Sequence, residues 1–122
     1  MTPFGAKLRE LRSKRGMTQA QLAKQLQVSP AYLSSLEHGK RGRPSWAIVQ
    51  KVIEIFGLIW DDAEELEKMA RLSHPKVMID TSHLSPKATE LANRLARVVQ
   101  RLDDDTLDHL LDILNAPKKE AE

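Results

Sequence analysis

Along almost the whole of this chain apolar side chains return every three or four positions, and nowhere do they alternate with polar ones long enough to face a sheet. That spacing restricts the fold to packed helices. Phe4, Leu8 and Leu11 form a first stripe, closed by Gly16, whose missing Cβ suits a left-handed helix end. Thr18 stands as an N-cap before Leu22, Ala23 and Leu26, and Gln21 completes a capping box, so a short second helix is expected to end near Gln25 or Leu26. After Gln27 and Val28, Ser29 and Pro30 open a third helix with Leu33 and Leu36 inward. Gly39 and Gly42 mark a loop among Lys40, Arg41 and Arg43. Pro44 and Ser45 open a fourth helix that buries Ile48, Val49, Val52, Ile53 and Phe56 and stops at Gly57. Asp61 or Asp62 is expected to start a fifth, carrying Leu66, Met69, Ala70 and Leu72.

Residues 73–84 break the pattern and read as a linker or arm, in which Val77, Met78 and Ile79 can lie extended. Ser85 and Pro86 then cap the cleanest amphipathic stripe of the chain: Ala88, Leu91, Ala92, Leu95, Val98, Val99 and Leu102. Asp103 to Asp105 restart a short helix with Leu107, Leu110, Leu111 and Leu114 inward. The organisation expected is a first domain over residues 1–72, the linker or arm over 73–84, a C-terminal helical segment over 85–116 and a flexible tail over 117–122.

Composition narrows the function. A length of 122 residues fits one ordinary domain, or a small one with an appendage. No cysteine is present, which excludes disulfides and thiolate metal sites. No apolar run approaches the roughly 20 residues of a spanning helix, and the start lacks a signal peptide's regions, so a cytoplasmic protein with no membrane partner is expected. The net charge of +2 conceals an asymmetry. Residues 1–45 hold nine Lys/Arg against Glu10 and Glu37, a net +7, whereas the remainder holds ten basic and fifteen acidic residues, a net −5. A basic front half on a nearly neutral chain points to a polyanion that meets one face.

Two short helices joined by a turn and packed through Leu22, Ala23, Val28, Leu33 and Leu36 would hold the second helix rigidly enough to enter a DNA major groove, which admits one helix. The small Ala23 lets the two axes approach. Over residues 4–58 the pattern Thr18-Gln19, Leu22-Ala23, Val28-Ser29, Tyr32-Leu33-Ser34, Leu36-Glu37 and Gly39-Lys40 resembles the helix-turn-helix regulators of the Xre and lambda repressor–Cro family. The resemblance implies an all-α fold: a five-helix lambda-repressor-like helix-turn-helix domain, with residues 29–36 as recognition helix, followed here by a C-terminal helical hairpin. It implies that Gln19 meets a phosphate at the start of the second helix, and that Arg12 and Glu37 form a partly buried structural ion pair outside the DNA site.

Ser29, Pro30, Ala31, Tyr32, Ser34 and Ser35 lie on the part of the third helix expected to face the groove. Pro30 and Ala31 suit thymine methyls, and the hydroxyls suit base edges or phosphates. The best-known members of the family place Gln, Asn or Lys at such positions. Without those bidentate groups direct readout is expected to be weak and operator shape to contribute more. Lys40, Arg41 and Arg43 are expected to grip phosphates, which gives affinity without sequence choice.

One helix pair cannot cover its own stripe, so Leu91, Leu95, Val98, Leu102, Leu107, Leu110 and Leu111 need a partner surface, either a second copy or the chain's own first domain. A homodimer predicts a pseudo-palindromic operator. The expectation is therefore a dimeric repressor of double-stranded DNA. Its rivals are an antitoxin that binds a toxin protein and an adaptor that no longer reads DNA, and RNA polymerase is a further partner to consider. No enzymatic constellation is visible. The histidines (His38, His74, His83, His109) are scattered, no metal or cofactor is expected, and the aspartates from Asp103 to Asp112 read as capping and solvated charge.

Overall fold

The computed structural model describes residues 1–40 and 43–116, all of whose regular structure is helical. Arg41, and the tail expected over residues 117–122, lie outside the described residues. Two compact units divide the chain, Met1–Val77 and Met78 onward. No helix among the described residues is long and apolar enough to cross a membrane.

The first unit holds five helices: α1 (Pro3–Lys14), α2 (Gln19–Leu26), α3 (Pro30–His38), α4 (Trp46–Phe56) and α5 (Trp60–Arg71). Local chemistry sets most ends. Thr2, Thr18, Ser29 and Ser45 each accept a first-turn N–H of α1 to α4, and at Thr18 the capping box is complete, with Gln21 returning its side chain to the Thr18 amide. Gly39 and Gly57 close α3 and α4 in the left-handed region. Gln27 takes that conformation (φ 62°) to close α2 without a glycine, and Lys51 of α4 donates to its Oε1 at 2.8 Å.

The fifth helix corrects the expectation. It starts at Trp60, one residue before Asp61, and the preceding Ile59 offers no side-chain cap. Asp61 and Asp62 occupy its first turn, where free backbone N–H groups favour carboxylates. Leu72, expected inward, is 63% exposed, and Met69 is half-buried.

Phe4, Leu8, Leu22, Ala23, Leu26, Leu33, Leu36, Val49, Val52 and Leu66 form the centre of the core, drawn from all five helices. Ser73 is buried as well. Its hydroxyl accepts the Phe4 amide at 2.9 Å and donates to the Met69 carbonyl, so the first unit is closed by a residue just past α5. Arg15 lies 4.8 Å from the centroid of the Phe56 ring and donates to the Ile55 carbonyl.

In the second unit Ser85 caps α6 (Pro86–Val98), a 3₁₀ turn follows at Val99–Arg101, and Asp103 caps α7 (Asp104–Asn115) by accepting the Thr106 amide at 2.8 Å. That bond holds the Asp103 carboxyl below the usual aspartate range. Neither helix buries any residue. Leu91, Arg94, Leu95, Val98, Val99, Leu102, Leu107, Leu110 and Leu111 line one open, almost wholly apolar groove of about 490 Å³ with the last turn of α7.

Candidate nucleic-acid interface

A helix that reads a groove has to be fixed from behind, and α3 is fixed by apolar packing along its length and by one ionic knot at its end. Leu33 and Leu36 are buried in one core cluster with Leu22 and Ala23 of α2, and Ala23 is 1% exposed. At the C-terminal end the Glu37 side chain is wholly buried, a placement a carboxylate tolerates only when its oxygens are satisfied. Arg12 of α1 donates to it twice, Nε to Oε2 at 3.0 Å and Nη2 to Oε1 at 3.1 Å, and its Nη1 reaches the Met17 carbonyl at 3.1 Å. Gln19 of α2 gives Oε1 a further bond, Nε2 to Oε1 at 2.9 Å. The one carboxylate thus gathers α1, α2 and α3.

Gln19 accordingly faces inward more than the sequence suggested, because a buried carboxylate with spare lone pairs outcompetes solvent for its amide. Toward a phosphate it can offer the second hydrogen of that amide and the first-turn N–H groups of α2.

The outward side of α3 is open. Ser29, Pro30 and Ala31 are exposed, and Tyr32, Ser34 and Ser35 are half-buried. Several hydroxyls already have work within the helix. Ser29 Oγ accepts the Tyr32 amide at 3.0 Å, and Ser35 Oγ donates to the Ala31 and Tyr32 carbonyls at 3.1 and 3.0 Å. Ser35 is thereby left as an acceptor, whereas Ser29 keeps its proton to give. His38 Nδ1 lies 2.8 Å from the Ser34 carbonyl.

Beyond α3, Lys40 and Arg43 are exposed and make no ion pair among the described residues; Arg41 lies outside them. The sequence pattern did not single out Trp46. It stands 65% exposed at the start of α4 and lines an open cleft of about 430 Å³ with Arg43, Pro44 and Arg71.

Leu95, Val98, Leu102, Leu107 and Leu110 are half-buried on the groove of the second unit, while Leu91 and Leu111 are 64% and 53% exposed.

Comparison with known proteins places this architecture. A family model described as "Helix-turn-helix domain" matches residues 3–72. The chain is 40% identical over 62 residues to the uncharacterized HTH-type transcriptional regulator RghRB of Bacillus subtilis (51% of this chain, 45% of that protein). It is 46% identical over 54 residues to the HTH-type transcriptional repressor RghR of the same organism (44% and 40%). The chain spans less than half the length of the curated relatives it matches. Among solved structures a chain of the SinR/SinI protein complex aligns over 91% of this chain and 93% of its own at 21% identity and a TM-score of 0.46. With a five-helix unit whose first three helices meet at the Arg12–Glu37 pair, and the family match over residues 3–72, the chain belongs to the helix-turn-helix domain family, in the Xre and lambda repressor–Cro form that its motif resembles.

Proposed function

We propose that this chain is a sequence-specific DNA-binding transcription regulator, working as a dimeric repressor on a pseudo-palindromic operator. The observation that carries this reading is the open outer side of α3, clamped from within while Ser29, Pro30 and Ala31 stay exposed. The basic front half of the chain and the names of RghRB and RghR support it.

In this reading Ser29, Pro30, Ala31, Tyr32 and Ser34 meet base edges, and Ser35 accepts. Gln19 and the start of α2 meet one phosphate, while Lys40, Arg41 and Arg43 meet others. Because so few side chains can form bidentate base contacts, operator shape carries much of the selectivity. The apolar groove between α6 and α7 supports the dimer, whose two recognition helices would then read half-sites roughly 34 Å apart. Double-stranded DNA and a second copy are the partners.

Selection of bound fragments from a random DNA pool, followed by titration at two salt concentrations, tests the reading. A two-fold-symmetric subset bound tightly and with strong salt dependence is expected. No preferred sequence at either salt would remove it in favour of a protein-binding adaptor.

A further inference from the structure

Between α5 and α6 the segment 76–80 (Lys76, Val77, Met78, Ile79 and Asp80) is exposed throughout, with Met78 93% exposed. Their backbone N–H and C=O groups form no backbone hydrogen bond among the described residues. Two β-branched residues on unpaired, exposed backbone make a template for strand pairing. Both ends are closed: Pro75 has no N–H to continue a ladder, and Asp80 turns the chain by accepting the Ser82 amide at 2.9 Å.

We propose that residues 76–80 are a pairing arm, which in the dimer lies antiparallel against the same segment of a second copy, with Lys76 opposite Asp80. The pattern is self-complementary only in that arrangement. Centred on Met78, the pair sets Val77 against Ile79 and each lysine against an aspartate. An in-register parallel pair would instead put Lys76 on Lys76 and Asp80 on Asp80, and like charges directly opposite are unfavourable. A shift of register by one residue would separate the charges and mix the Val77 and Ile79 face with the Met78 face. The Ser82 hydroxyl and amide hold the Asp80 carboxyl below its ordinary range, so it is anionic at neutral pH. A two-stranded ribbon this short is marginal alone. It forms because dimerisation through the second unit raises the arms' effective concentration, so the proposal rests on the dimer reading above.

The chain has no cysteine, so disulfide trapping is unambiguous. Met78→Cys should cross-link to itself readily on mild oxidation, because directly opposed residues lie about 4.5–5.5 Å apart at Cα, inside disulfide range. Val77→Cys faces Ile79 and sits diagonally from its own copy, so it should cross-link at least several-fold less. K76D and D80K should each lower the Met78→Cys yield by roughly fivefold, and the K76D/D80K double exchange should restore it. Equal trapping at positions 77 and 78, or no rescue by the double exchange, in a chain that sediments as a dimer overturns the arm and leaves the dimer standing. A chain that sediments as a monomer overturns both.

Discussion

A Cβ built on Gly5 would lie 2.5 Å from the carbonyl oxygen of Glu37. Gly5, in the first turn of α1, therefore sets how near α1 comes to the end of the recognition helix. It does so next to the Arg12–Glu37 pair that locks the same two helices. The neighbouring Leu36 carbonyl is as close, at 2.7 Å, and both neighbours are backbone, so no side chain can swing away. Gly5→Ala should lower stability by roughly 1–3 kcal/mol, which a thermal melt reads as about 4–8 °C per kcal/mol. An unchanged melting temperature would show that α1 can slide without cost.

Arg12 and Glu37 make the second prediction. Removing the arginine leaves a fully buried carboxylate with Gln19 as its remaining side-chain donor, a change that typically costs about 3–5 kcal/mol. Arg12→Ala should therefore cut the denaturant midpoint strongly. Adding Glu37→Gln to Arg12→Ala should recover part of the loss, because the buried charge disappears while a hydrogen-bonding group stays. Equal stability of the single and double variants would contradict an uncompensated charge as the cause.

These two relationships differ in how they could be read. The residues of the ionic knot were legible through the family resemblance, and α1 to α4 through stripes and caps, since Thr18, Ser29 and Ser45 stabilise helix starts locally. Gly5 and Ser73 were not legible, because what they do depends on groups 32 and 69 positions away in sequence. The start of α5 was misplaced for a related reason. Asp61 or Asp62 is the expected start, but the helix begins at Trp60 behind an uncapped Ile59. Within the candidate site the exposed residues of α3 followed from helical periodicity. The inward turn of Gln19 did not, since it depends on the buried oxygens of Glu37.

The loop after α3 yields a prediction about ions. Replacing Lys40, Arg41 and Arg43 by Ala should weaken binding about equally on every DNA sequence. It should also flatten the plot of log affinity against log salt by about 0.9 for each phosphate that is no longer neutralised. Titrations of one operator and one unrelated duplex from low to high salt would read it. An unchanged slope would show that these side chains do not meet phosphates.

Asp103 makes stability depend on pH. Its carboxyl titrates below the ordinary aspartate value because the ionised form accepts the Thr106 amide, so its contribution is fully present above that ordinary value. As pH falls through the lowered value the contribution is lost and the first turn of α7 loosens. Protection of the Thr106 amide against exchange, taken relative to the intrinsic rate at each pH, should fall over that window, whereas Asp103→Asn, which keeps a capping oxygen without a titrating group, should remove this change in protection.

The groove of the second unit carries the last prediction. Leu95 and Leu102 both line it, half-buried, with Leu91 and Leu111 more open beside them. A patch of this apolar character on a free monomer would be unusual, and a second copy would cover it with the same residues in a two-fold contact. Replacing Leu95 and Leu102 by Glu would place two charges per copy against apolar surface, and each would resist desolvation. Sedimentation should then report monomers. Operator affinity should fall as well, since each half-site would have to be bound without the tether. The helices themselves should persist in circular dichroism, because neither side chain caps α6 or α7 and neither is fully buried. A dimer that survives both substitutions would locate self-association elsewhere in the chain.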